Sequence, residues 1–447
     1  MLGAPWYRAT LVPRAGNLPL AIVWPRLWDA LRLAKVVPIR TALTLDGDDR
    51  LLPPTNWHSA RAHGMPGPYR SVMLAAIPEG AVSSWLGGSA MGTLVVPYFS
   101  TEAIERTCQA NGMMCASAPA SLQWNLEDKT LFREACAALD IPTPLWTHSE
   151  LSGGAFSRLE SILGLPFVAQ RPHSSTCEGT YFVRDPTDWL QVDITPESPG
   201  TPLLCSMFAQ GGAMNVHLLV DDERTALSAP SRVIVEIRGL RAVYLGNEFD
   251  AGLRLTKLQR HYITKVGDWL RSVGFRGTCG LDFLPDNDSL LALELNPRLQ
   301  ASSVLLSEVE HAAGTPLTLQ CHAASACHQS WAQPAESSAV EAAQVSCIID
   351  DRARHRDRNA LSPGVYSVDT ERLTFTRPGI GLQDLSTADE IVLVTEAADP
   401  VAPDQSDRVR VRWLCRRRVL TESGQLGPWA VGVQNLIAAA LEHTAEL

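Results

Sequence analysis

A β-hairpin is written into residues 280–303, GLDFLPDNDSLLALELNPRLQASS. Two short apolar runs, LDFL and LLALEL, flank a turn cluster, PDNDS. Each arm carries one acid, Asp282 and Glu294. With the turn centred on Asp288, positions equidistant from it face each other, and Asp282 faces Glu294. Opposed Cβ atoms lie about 4.5–5.5 Å apart, where like charges repel. Alternation puts Glu294, Asn296 and Arg298 on one face and Leu293 and Leu295 on the other. A dication between the two carboxylates turns that repulsion into attraction. Oxygen donors of this kind suit Mg²⁺, which keeps part of its water and completes its shell with substrate phosphates. The alternative is a hairpin whose acids face solvent, and a register slip of one residue would produce it.

Composition narrows the class. The 447 residues, 45% hydrophobic and 19% charged, are those of a globular chain. A net charge of −10 argues against a nucleic-acid partner. The arginine run RVRVRWLCRRR, 408–418, alternates like a half-buried strand with a charged outer face. Residues 80–101 carry no charge, but glycines, serines and Pro97 break their apolar runs. They read as a loop feeding the strand TLVVPYF, with no membrane span. No basic-then-apolar leader opens the chain, so a cytoplasmic location is expected. Ten cysteines stand without a CxxC pair and read as reduced core residues. The cluster CHAASACH, 321–328, fits no zinc spacing and reads as helix. Only four lysines occur, Lys35, Lys129, Lys257 and Lys265, so a lysine at a motif position carries information.

Residues 1–124 alternate strand-like runs (LPLAIVW, TLVVPYF) with helical ones (RLWDALRLA, STEAIERTCQANG), which predicts an open α/β domain. No glycine-rich dinucleotide fingerprint follows a strand. NLEDKTLFREACAALDI, 125–141, reads as one helix ended by IPTP. LPFVAQ and TYFVRD read as strands around the loop RPHSSTCEG. PLLCSMFA, NVHLLVDD and SRVIVEI are further strands, and HYITKVGDWLRSVG is an amphipathic helix. The Pro/Ala/Ser-rich stretch SWAQPAESSAVEAA closes this second domain near residue 330. Five more strand candidates and a helix after Pro428 form a third, 341–447, of α+β type.

The loop between LPFVAQ and TYFVRD is rich in small residues. Such a loop presents backbone N–H groups to phosphate oxygens. Ser174, Ser175 and Thr180 add hydroxyls, Gly179 permits close approach and Arg171 adds charge. An ordinary hairpin connection would look much the same. Order distinguishes it: a helix opened by Asp-Lys, a P-x-V strand with its loop, a strand pair around glycines, then a hairpin with Asp, Glu and Asn-Pro-Arg. In that order residues 125–325 resemble the ATP-grasp superfamily, most specifically in E-x-N-P-R at Glu294–Arg298. The segments YLGNEF and NPRLQASS are similar to those of carboxylate–amine ligases of natural-product pathways.

The resemblance implies an α/β ATP-grasp fold behind an N-terminal open α/β domain, with a lid over about 145–205. It implies ATP and Mg²⁺ as cofactors, with Asp282, Glu294 and Asn296 as metal ligands. Lys129 and the loop 173–180 would meet the phosphates, with Gln170 or Arg171 in place of the usual lysine. Met207 and Phe208 would offer backbone to adenine, and Arg298 and Arg232 would be catalytic. Met207 also stands where an acid is often found beside adenine. The implied activity is ADP-forming ligation of a small carboxylate, such as an amino acid, to an amine through an acyl phosphate. The implied partners are those small molecules, with no nucleic acid or membrane and with a homodimer allowed. An ATP-grasp phosphotransferase and a non-catalytic nucleotide-binding or scaffold protein remain as alternatives.

Overall fold

A computed structural model describes residues 19–44, 51, 54, 57–59, 82, 85, 92–152, 154–174, 177, 179–192, 202–350, 361–395 and 408–443. The chain is a mixed α/β protein. Its first strands are β1 (Leu20–Trp24), β2 (Ile39–Thr44), β3 (His58–Ser59), β4 (Leu94–Pro97) and β5 (Met114–Cys115), with helices α1 (Leu27–Ala34) and α2 (Glu102–Ala110) between them. Among the described residues these strands form one parallel sheet in the order β3-β2-β1-β4-β5. Strand β1 is buried along its whole length, as its unbroken apolar run LAIVW requires. Chain direction across the sheet reverses between β1 and β4. At such a switch point a crevice opens beyond the carboxyl ends of the strands. Trp24 and Tyr98 meet there edge to face, 5.1 Å between centroids. Part of the uncharged stretch 80–101 lies outside the described residues, and Leu94–Pro97 of its TLVVPYF run form β4.

Two helices, α3 (Ala120–Leu126) and α4 (Lys129–Ala138), replace the single helix expected over 125–141. The break comes from Asp128. Its carboxylate accepts hydrogen bonds from Thr130 N (2.8 Å) and Leu131 N (3.3 Å), so it caps a new helix. A small α+β unit follows, over the span expected to be a lid, with β6 (Trp146–Glu150), α5 (Ala155–Leu163), β7 (Phe167–Gln170), β8 (Thr180–Val183), α6 (Pro186–Leu190) and β9 (Pro202–Met207). Its antiparallel strands enclose their own core around Phe156, Leu159, Phe167 and Trp189.

The remaining strands are β10 (Met214–Val220), β11 (Thr225–Leu227), β12 (Ser231–Arg238), β13 (Arg241–Phe249), β14 (Gly277–Asp286), β15 (Ser289–Asn296), β16 (Ala342–Asp350), β17 (Gly364–Val368), β18 (Leu373–Arg377), β19 (Glu390–Thr395) and β20 (Arg408–Cys415). Helices α7 (Lys257–Ser272), α8 (Ser302–Ala313), α9 (Thr318–Ala326) and α10 (Pro428–His443) pack around them. One sheet runs β15-β14-β10-β12-β13-β16-β20-β19-β17-β18, so the C-terminal strands extend the central sheet through β13 and β16. Even-numbered β10 residues (Met214, Val216, Leu218, Val220) pack against α4 and α7. The odd-numbered Asn215 and His217 share the opposite face with Asp282. CHAASACH forms helix α9 and its following turn, as its alanines predict.

Strand β20 corrects one expectation. Arg412 is not on a charged outer face but buried, 3.3 Å from Asp29 of α1. Helix α1 also buries Arg32, which pairs with Glu308 of α8 and donates to Gln344 of β16. Among the described residues, no helix is long and apolar enough to cross a membrane.

Candidate active site

The hairpin is β14–β15, and Asp282 faces Glu294. The pairing arises differently from the simple mirror about Asp288. The turn is the two-residue Asn287–Asp288, with Asn287 in the left-handed region (φ 50°). Without correction, Asp282 would then face a leucine. A bulge between Asp282 and Phe283 restores the acid pair.

Both carboxylates are half-buried. Burial, and then the charge of Glu294, raises the Asp282 carboxyl well above the usual range. Burial also works against the Glu294 charge, but Lys129, the Asn296 amide and Arg298 outweigh it and hold its pKa down. The Asn296 amide donates to Asp282 Oδ2 (3.1 Å) and Glu294 Oε1 (3.2 Å), so all three side chains converge. Lys129 Nζ lies 3.3 Å from Glu294. It also donates to the Ser174 carbonyl (2.6 Å) and hydroxyl (3.2 Å).

The phosphate-loop candidates close over this group. Lys129 N donates to Pro172 O (3.1 Å), and His173 stacks on Trp124 at 4.3 Å. The Cys177 thiol is pushed up to about 12 by burial and then by Glu294 and Asp282, as befits a group beside two acids. Gly179 has φ +71°, and a Cβ there would touch the Arg171 side chain at 3.0 Å, so the loop needs glycine at this point. Gln170 donates to Thr180 Oγ1 (3.2 Å) across the β7–β8 pair. Ser175 lies outside the described residues. Met207 N is bonded to Leu145 O (2.8 Å) and Phe208 N to Pro166 O (3.4 Å), while the Phe208 ring meets Phe182 edge to face at 5.5 Å.

The two arginines separate. Arg298 sits at the carboxylates with its fork largely engaged. Nε donates to Glu127 (2.6 Å), Nη1 to the Tyr98 hydroxyl (3.2 Å) and Nη2 to Asn296 Oδ1 (3.3 Å). Arg232 is not brought to the cluster. Ser231 pairs with Asn215 and shares its face, so Arg232, one residue on, points to the opposite side of the sheet. There it meets Glu248 (3.3 Å) and Asp250 (3.7 Å).

Four neighbours were not anticipated. Asn215, opposite Asp282, donates to its Oδ1 (2.6 Å) and to Gln300 (3.0 Å). The Gln300 carboxamide fills the space a Cβ on residue 280 would need, which is why glycine precedes the LDF run. Glu127, beside the Asp-Lys pair, and Tyr98, at the end of β4, hold Arg298. Glu127 adjoins a recognised motif and was within reach of the sequence. Nothing local marked Tyr98, 200 residues from Arg298.

Among the described residues there is no cluster of three or more His, Cys, Asp or Glu suited to a metal. Asp282, Glu294 and Asn296 instead offer two carboxylates and an amide, which suits a hard cation that keeps water or phosphate ligands. Turning the Asn296 amide over would present its oxygen to such an ion.

Residues 126–302 match the family model of the ATP-grasp domain. No curated protein sequence matches the chain. In structure the chain is similar to a biotin carboxylase from Campylobacter jejuni, with TM-score 0.62, 13% identity and 96% of each chain covered. It is also similar to the biotin carboxylase domain of a Hydrogenobacter thermophilus 2-oxoglutarate carboxylase, with TM-score 0.60, 14% identity, 95% of this chain and 90% of that one. A third is N5-carboxyaminoimidazole ribonucleotide synthetase from Thermus thermophilus, with TM-score 0.53, 14% identity, 94% of this chain and 98% of that one. The domain match makes residues 126–302 an ATP-grasp domain, and the chain shares the fold of these solved structures.

Proposed function

We propose that the protein is an ATP-dependent, ADP-forming ligase that joins a small carboxylate to an amine. The observation carrying this reading is the half-buried pair Asp282 and Glu294, bridged by the Asn296 amide beneath the loop of Ser174. Two carboxylates held this close serve no packing purpose, and a dication with its phosphates makes them favourable. Structures similar in fold were solved with ADP or with MgADP and bicarbonate, which supports nucleotide and Mg²⁺ as cofactors.

Mg²⁺ held by Asp282, Glu294 and Asn296 would supply charge neutralisation at the phosphates. Lys129 would exchange its Ser174 and Glu294 contacts for phosphate oxygens. The loop 173–180, with Arg171 and Thr180, would cover them and exclude water, and Phe208 with Phe182 would flank the base. An oxygen of the acid attacks the γ-phosphorus, the bond to ADP breaks, and an acyl phosphate forms. The amine then attacks the acyl carbon, inorganic phosphate leaves, and the nitrogen loses a proton. Phosphoryl transfer of this kind depends on positioning and charge compensation, which Lys129 and Arg298 are placed to give. The pairing of an amino acid with a second amine in natural-product biosynthesis, and a homodimeric assembly, belong to the same proposal.

Mass spectrometry of the protein with ATP, Mg²⁺ and a panel of acids and amines tests it. The expected result is ADP and a condensed product that each require both substrates. ADP with a phosphorylated acid alone would make it a phosphotransferase. Nucleotide binding without turnover would favour a binding protein, a reading that the uncharged Gln170, spent on Thr180, specifically supports.

A further inference from the structure

The carboxylate face of the sheet continues past the acids into an apolar strip. Asp282 pairs with Asn215, and Asn215 with Ser231 of β12, so all three share one face. Along β12 that face carries Val233, Val235 and Ile237. Their neighbour Ile234 points the other way, into the core beneath α10. Val235 is 37% exposed and Ile237 49% exposed. Tyr244 of β13 pairs directly with Val235 and shares the face, its hydroxyl bonded to Asn247.

Ordinary surfaces scatter large apolar side chains singly. Here they are consecutive on one face. From Val233 to Ile237 the strip runs about 13 Å at a strand's rise per residue. Ser231 is two strand spacings, about 10 Å, from Asp282, and the strip begins two residues further along β12 at Val233. Its far end is tied to the lid, where Phe182 N donates to Leu240 O (2.8 Å) and Arg241 pairs with Tyr181. The strip therefore runs between the carboxylate row and the lid and is continuous with the candidate active site.

We propose that Val233, Val235, Ile237 and Tyr244 form the floor that binds an apolar tail, phenylalkyl or medium-chain, on one of the two organic substrates. This rests on the ligase reading above and names the substrate class for it. The acid or amine group lies at the carboxylates, and the apolar remainder extends along β12 toward the lid. A polar or very small substrate would leave the strip wet.

Saturation-transfer NMR titrations on the full chain with Mg²⁺ and ADP compare 4-phenylbutyrate with 4-hydroxybutyrate, and 4-phenylbutylamine with 4-hydroxybutylamine. The expected result is a preference of about tenfold or more for one phenyl compound over its hydroxyl partner. The double variant Val235→Thr/Ile237→Thr keeps the β-branched shape and should remove most of that preference while ADP binding is unchanged. Equal affinity within both pairs, or a preference untouched by the double variant, overturns the proposal. So does a wild-type dimer that the double variant converts to monomer in sedimentation velocity, because the strip is then covered by a second copy. An ADP-release assay on the same compounds separates the two ideas. ADP formation from polar pairs with no phenyl preference overturns the strip and leaves the ligase. A phenyl preference without ADP from any pair supports the strip and overturns the ligase.

Discussion

At the scale of single residues, the carboxylate pair sets the sharpest expectations. Asp282→Asn and Glu294→Gln should each abolish Mg²⁺-dependent turnover. Asp282→Asn should leave the metal-free melting temperature unchanged or higher because it removes a like-charge contact, whereas Glu294→Gln should lower it because it strands Lys129. Full activity in both variants would remove the metal site. Arg298 offers a finer test. Its fork is shared among Glu127, Tyr98 and Asn296, so it must be placed as well as charged. Arg298→Lys should lower kcat by about 10²–10³ with ATP affinity little changed. Near-normal kcat in steady-state kinetics would leave Arg298 as a strut between the hairpin and the N-terminal sheet. Two buried histidines report on the interior. His322 accepts from Thr278 N (2.9 Å) at Nδ1 and lies 3.0 Å from Ala116 O at Nε2, so it is built in as the neutral ring. Burial lowers both His217 and His322 to about 4. The unfolded chain takes up those protons near 6.5 and the folded chain does not, so their stabilisation is complete above 6.5 and falls with pH below it. By pH 5 the loss is about 2 kcal/mol for each histidine. The raised carboxyls of Asp282 and Glu310 act in the opposite sense over this range, so the histidine contribution is read as a difference. Between pH 6.5 and 5 the wild-type melting temperature should fall relative to that of His217→Asn/His322→Gln.

At the scale of elements, the break between α3 and α4 matters because it aims Lys129. Asp128 ends one helix, caps the next and lies 3.6 Å from His173 of the loop proposed to cover the phosphates. Asp128→Ala should cost about 1 kcal/mol of stability through the lost cap. It should also weaken ATP binding measured by calorimetry, because Lys129 N and Nζ hold the same loop. Stability loss with unchanged nucleotide affinity would make the cap purely structural. The helix periodicity of 125–141 does not reveal this break, since a capping aspartate and a surface aspartate look alike in a string of letters. The hairpin teaches the complementary lesson. Its facing acids were legible, but through a turn and a bulge whose offsets cancel.

At the scale of the whole molecule, the N-terminal sheet is joined to the central sheet by buried charge. Arg32 pairs with Glu308, and Asp29 with Arg412, across three elements distant in sequence. Removing one partner of a buried pair strands the other, at about 3–5 kcal/mol. Arg412→Met should therefore lower the melting temperature by several degrees, and Asp29→Asn/Arg412→Met should recover part of it. A single variant that melts like wild type would show the joint to be dispensable. This joint also brings Tyr98 to Arg298, and with it the crevice of the first sheet to the carboxylates of the second.

The order of motifs from Asp128-Lys129 to Asn296-Pro-Arg298 was enough, by itself, to point to the ATP-grasp domain and to the facing hairpin acids. Those features are local: apolar alternation, turn residues and an acid on each arm are all written within a few residues of one another. Tertiary structure alone decided that Arg232 faces away from the acids, that Arg412 is buried, and that Asn215, Gln300 and Tyr98 complete the site. The physical reason is the same in each case. Which face of a strand is enclosed, and which distant side chain reaches across it, depends on sheet register and on packing between segments up to 383 residues apart.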